Sequence, residues 1–187
     1  MRRPKILLAA ICMAAVLITL ISQNTLAFYT VIGRATNVIT SGGIHLQINE
    51  TTDSGAPFPT EGVFIKPGDV VGKRVTVENP GSHPFWLRVR LVYGIEGEQL
   101  PYADMLKVLD MNDTDWTVRD DGFIYYNKVL EPGAETEPVF SKVEVVGEKL
   151  DLSYIHSALT LTVEAFAVQS EHNPADFPWE AAGWPEG

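Results

Sequence analysis

Phe85-Trp86-Leu87-Arg88-Val89-Arg90-Leu91-Val92-Tyr93 puts an apolar residue at every odd position, with arginine at 88 and 90. A period of two means a strand with one face toward a core and the other toward water. Shorter runs repeat the pattern on either side. Ile44, Leu46 and Ile48 alternate with His45, Gln47 and Asn49, and Val71, Val75 and Val77 stand opposite Arg74, Thr76 and Glu78. Leu159, Leu161, Val163, Ala165 and Ala167 form the last series, against Thr160, Thr162 and Glu164. Strands with one dry face bury it by packing sheet on sheet.

Turn chemistry separates the runs. Lys66-Pro67-Gly68-Asp69 and Glu131-Pro132-Gly133-Ala134 carry Pro-Gly at the centre of a type II turn. Asn79-Pro80-Gly81-Ser82 ends one strand. Asp120-Asp121-Gly122 between Trp116-Thr117-Val118 and Phe123-Ile124-Tyr125-Tyr126 signals a hairpin. The fold expected is all-β: a jelly-roll-like antiparallel β-sandwich with short helical insertions, spanning residues 28–187 as one domain. Asn173 to Ala182 suits a helical turn or two, whereas Pro101 to Leu109 fits a helix or a strand approach.

The first 27 residues read differently. Arg2, Arg3 and Lys5 precede the uncharged run Ile6 to Ile21, and the segment closes on Thr25-Leu26-Ala27. This is the pattern of a secretory signal peptide, with the cut expected between Ala27 and Phe28. An uncleaved anchor is the alternative, but the run of 16 residues falls short of the roughly 20 that span a bilayer. Cys12, the sole cysteine, lies inside that run, and Ile11 before it does not suit a lipidation site. The mature chain is therefore expected to contain no cysteine and no disulfide. Cleavage would remove three of the 14 Lys and Arg and none of the 24 Asp and Glu, moving the net charge from −10 to −13. So acidic a chain is not expected to bind nucleic acid, or a membrane other than through the signal peptide.

No catalytic constellation is legible. His45, His83, His156 and His172 are scattered, with no His-Glu-x-x-His pair to hold zinc. Gly-x-Ser-x-Gly and phosphate-binding glycine loops are absent. No enzyme activity and no cofactor are expected. Asp110-Met111-Asn112-Asp113-Thr114-Asp115 is the one acidic cluster whose oxygens suit calcium, through Asp110, Asn112, Asp113 and Asp115. It lacks the glycine and distant glutamate of a calcium loop, which favours a solvated turn. Trp179 and Trp184 suit either a cap on the sandwich or a docking patch.

Several of these segments, taken in order, resemble the camelysin/TasA family. They are Thr25-Leu26-Ala27-Phe28-Tyr29-Thr30, Ala35-Thr36-Asn37-Val38-Ile39-Thr40-Ser41-Gly42, and Lys66-Pro67-Gly68-Asp69 with its strand to Asn79. Trp116 with Asp121 to Tyr126, Leu130 to Thr136, and Val163 to Gln169 follow. The resemblance implies a secreted extracellular or cell-surface protein of a Gram-positive-type bacterium, exported with a signal peptidase of the SipW type. It also implies a biofilm-matrix subunit that self-associates into filaments. In that mode Phe28, Tyr29, Thr30, Val31 and Ile32 form a donor strand that completes the sheet of the next subunit. An edge strand within the parent domain is the alternative for this segment. A monomeric glycan- or protein-binding module is the second functional reading, and a camelysin-like metallopeptidase the third.

Overall fold

The computed structural model describes residues 29–39, 44–95, 98–99, 105–147 and 158–185. The segment expected to be the signal peptide, together with Phe28, lies outside them.

The described residues contain twelve strands: β1 Tyr29–Ile39, β2 Gln47–Thr51, β3 Val63–Ile65, β4 Val70–Gly72, β5 Arg74–Glu78, β6 Phe85–Ile95, β7 Glu98–Gln99, β8 Leu106–Leu109, β9 Trp116–Val118, β10 Ile124–Tyr126, β11 Lys142–Val145 and β12 Ala158–Gln169. The larger sheet has the order β3-β1-β12-β6-β10-β9, with β7 added to β6. Its spine is the antiparallel β6–β12 ladder, in register from Phe85↔Gln169 to Ile95↔Leu159.

The second layer contains β2-β5 and β4-β11-β8. Backbone bonds from Lys73 to Ser141, Val139 to Val75 and Thr136 to Val77 join the two pieces. Between the layers lies one core, with Ile48, Val75, Val77, Val143 and Val145 facing Phe85, Leu87, Val89, Leu161 and Val163. The expectation of an all-β sandwich therefore holds. The inward residues of the β12 alternation are buried as their parity requires, as are Phe85, Leu87 and Val89 of β6, while Leu91 and Tyr93 are partly buried against the same core.

Both Pro-Gly turns form as expected. Asp69 N–H bonds to Lys66 O at 3.0 Å, Ala134 N–H to Glu131 O at 3.0 Å, and Gly68 and Gly133 take φ of 88° and 75°. The β9–β10 hairpin pairs Ile124 with Val118 and Tyr126 with Trp116, turning on Gly122 at φ 84°.

Three features depart from the sequence reading. The ladder of β1 on β12, Thr30↔Ala158 to Ile39↔Ala167, is parallel, so the sandwich is not antiparallel throughout. Parallel neighbours require a crossover, and here almost the whole domain lies between the two strands. The 173–182 stretch yields a single 3-10 turn, Pro178–Glu180, because Pro174 and Pro178 interrupt any longer helix. In the 101–109 stretch the strand alternative holds for Leu106–Leu109, which is β8, and residues 101–104 lie outside those described. The outer face of the large sheet is also not wet throughout. Trp86, Arg88, Phe166 and Val168 are buried beneath the chain that follows β12.

Candidate functional site

The N-terminal strand occupies a slot with a partner on each side. Besides its ladder on β12, β1 pairs antiparallel with β3 through Tyr29↔Ile65, Thr30↔Phe64 and Val31↔Val63. β3 has no other strand neighbour in the sheet order, and β12 has β6 on its far side. Tyr29 to Ile32, four residues of the expected donor segment, thus begin a strand of their own domain's sheet.

A second assembly covers the outer face of that sheet. Arg88 projects from β6 with its guanidinium carbon 3.6 Å from the Phe123 ring centroid, 4.7 Å from Trp184 and 5.5 Å from Phe166. Nη1 donates to the Tyr125 hydroxyl at 3.2 Å, and that hydroxyl donates to Asp121 Oδ2 at 2.7 Å. Nη2 donates to the Pro185 carbonyl at 2.7 Å. A planar cation stacked on rings and hydrogen-bonded at its edge is held far more firmly than a surface arginine. Burial raises the Tyr125 phenol above its ordinary range, with Arg88 acting in the opposite direction.

The Asn173 side chain closes the segment onto itself. Its Nδ2 donates to Ala182 O at 2.9 Å and its Oδ1 accepts from Ala182 N–H at 3.0 Å. Trp86 Nε1 donates to Asn173 O at 3.2 Å. Ala181 packs on Trp86 and Val168, with Trp184 alongside. Trp184 therefore caps the outer face, while Trp179 is partly exposed and meets the Tyr125 ring edge-on at 6.2 Å. Phe177 stacks parallel on Trp179 at 4.8 Å and is half exposed, and the Arg119 guanidinium sits 4.7 Å from the Trp179 ring. Beside this aromatic step is an open groove of about 610 Å³ lined by Trp86, Glu131, Glu171, Asp176 and Glu180 among others.

The acidic turn is held by protein donors. Asn112 Oδ1 accepts from the backbone N–H of Thr114 and of Asp115, each at 3.1 Å. Asp115 Oδ1 meets Lys128 Nζ at 2.7 Å, and Asp110 Oδ2 meets Lys142 Nζ at 2.9 Å. The hydrogen bond from its lysine holds each of these two carboxyls below the usual range. Asp113 is exposed on the same turn. Among the described residues no group of three or more His, Cys, Asp or Glu is placed to hold a metal ion. His45 and His172 are exposed, His83 Nδ1 contacts Glu171 at 3.1 Å, and His156 lies outside the described residues.

Besides Arg88, the buried polar residues Lys73 and Asn79 escaped the sequence reading. Lys73 is fully buried, with Nζ 2.8 Å from Glu50 Oε1 and 4.8 Å from the centroid of the Phe58 ring above it. It has the parity of Val71, Val75 and Val77, and that was the available signal. Asn79, also fully buried, donates to His83 O at 2.9 Å and Leu130 O at 3.0 Å, and accepts from Gly81 N–H at 3.0 Å.

Comparison with known proteins adds no identification: no protein-family model, no curated protein and no solved structure matches the chain.

Proposed function

We propose that this protein is a secreted structural subunit of an extracellular, biofilm-matrix type filament, assembled by exchange of the N-terminal strand. The reading begins from the resemblance to the camelysin/TasA family. The observation that carries it is the position of β1. This strand sits at the start of the domain, between β12 and β3, and it is joined to the next strand, β2, in the opposite layer. Withdrawing it leaves one continuous chain from β2 to β12. It also leaves an open edge on β12 ten residues long, and removes the only strand partner that β3 has among the described residues. The same backbone bonds form whether β1 comes from its own chain or from a neighbour, which is the condition for strand exchange.

Deleting residues 28–32 is the test. The fold should survive, as judged by circular dichroism, while filament formation stops. Filaments that form as readily without 28–32 would sink the reading.

A binding module is the second reading, and the step of Phe177 and Trp179 beside the acidic groove favours it. A flat aromatic face half open to water suits a sugar ring or a cationic side chain. A stable monomer whose ligand affinity collapses with Trp179→Ala would place this reading first.

A further inference from the structure

We propose that Lys73 and Glu50 are joined by an intramolecular amide bond that staples β5 to β2. Register pairs Glu50 with Val75 and Thr51 with Arg74, so Lys73 lies just beyond the ladder, next to Glu50. The loop that follows β2 returns Phe58 N–H to Glu50 O at 2.8 Å, which seats the Phe58 ring over Lys73.

An ammonium carries three donors and needs acceptors for them. Among the described residues this one has a single polar contact. At 2.8 Å the contact is at ion-pair distance, but it does not meet hydrogen-bond geometry, and Nζ and Oε1 have no other partner. Leaving two charges buried with so little compensation is costly. Burial lowers the proton affinity of Lys73, the attraction of Glu50 opposing it in part. Passing one proton from Nζ to the carboxylate gives a neutral amine beside a neutral acid, with Nζ and Oε1 both shielded from water. The nitrogen lone pair then attacks Cδ of Glu50. A C–N bond forms, the C–OH bond breaks, and the hydroxyl leaves as water with a second proton from nitrogen. No oxidant or activated donor is required, and both charges disappear. Two groups fixed on adjacent strands react at a high effective concentration. The described core contains no disulfide, and an amide would tie its second layer independently of β1.

Tryptic mapping of the folded full-length protein tests this directly. Lys66 precedes Pro67, so trypsin releases residues 35–73 when Lys73 is free. Acylated Lys73 resists cleavage and shifts the cut to Arg74. The expected result is a peptide of residues 35–74 lighter by one water, whose two parts stay joined after a second cut between 58 and 65. The Lys73→Met variant, checked for folding by circular dichroism, should yield the same span without the loss of water. An unmodified 35–73 peptide from folded protein would overturn the proposal. So would a loss of water that persists in Lys73→Met.

Discussion

At the residue scale, the buried polar groups explain more than the surface charges do. Asn79 links the end of β5 to the 131–134 turn, since its own N–H bonds to Ala134 O and its carbonyl accepts from Gly133 N–H. Asn79→Ala takes the side-chain donor from the His83 carbonyl and the acceptor from Gly81 N–H, while the Leu130 carbonyl keeps the Phe85 N–H. It should destabilise the protein by about 2–3 kcal/mol, read as a lower urea midpoint with an unchanged slope. The surface pairs Asp110–Lys142 and Asp115–Lys128, the second with a partly buried carboxyl, have a smaller role. Their depressed carboxyl values mean that the stability they contribute is present above the ordinary aspartate value, near pH 3.9. It is lost as pH falls through the lower folded values. An acid titration of Asp115→Asn against the parent should show the two stability curves converging at low pH. Asn79 was legible as a turn residue because Pro80-Gly81 follows it. Its burial was not, because the turn it anchors lies some fifty residues away in sequence.

At the element scale, the β9–β10 hairpin isolates a backbone effect. A Cβ added at Gly122 meets nothing within 4 Å, so the cost of Gly122→Ala is its φ of 84°. It should cost about 1–2 kcal/mol by urea unfolding, and Gly122→Asn should cost less, since asparagine tolerates this region. The segment after β12 behaves as an element without regular structure. Ending the chain after Asn173 removes Ala181, Trp184 and the Pro185 carbonyl from the outer face. Loss of one large aromatic contact and one cation–π contact amounts to about 3 kcal/mol. The truncated protein should keep its β-sheet spectrum, show red-shifted Trp86 emission and bind a hydrophobic dye. Alternation revealed the inward residues of β6 and β12 because a buried face imposes a period of two. It failed for Trp86, Arg88 and Phe166, whose burial is imposed by a segment that has no period of its own.

At the scale of the whole molecule, the all-β class was legible from alternation and Pro-Gly turns, since both act locally. The parallel β1–β12 pair was not. Nothing local in Tyr29–Ile39 specifies a partner more than a hundred residues away, and strand direction is set by the path of the whole chain. In the proposed exchange β1 would leave this pair with the chain from β2 to β12 unbroken. With a formal charge of −13 after the expected cleavage, copies repel at low ionic strength, and salt screens that repulsion. Filament growth should therefore accelerate between low and physiological salt, as followed by light scattering. The central claim is exchange of β1 between copies, and electron microscopy of purified residues 28–187, incubated for days across salt and pH, tests it most directly. Regular filaments are expected from the intact protein and none from the same chain lacking residues 28–32. Filaments of the same form without that segment would contradict it.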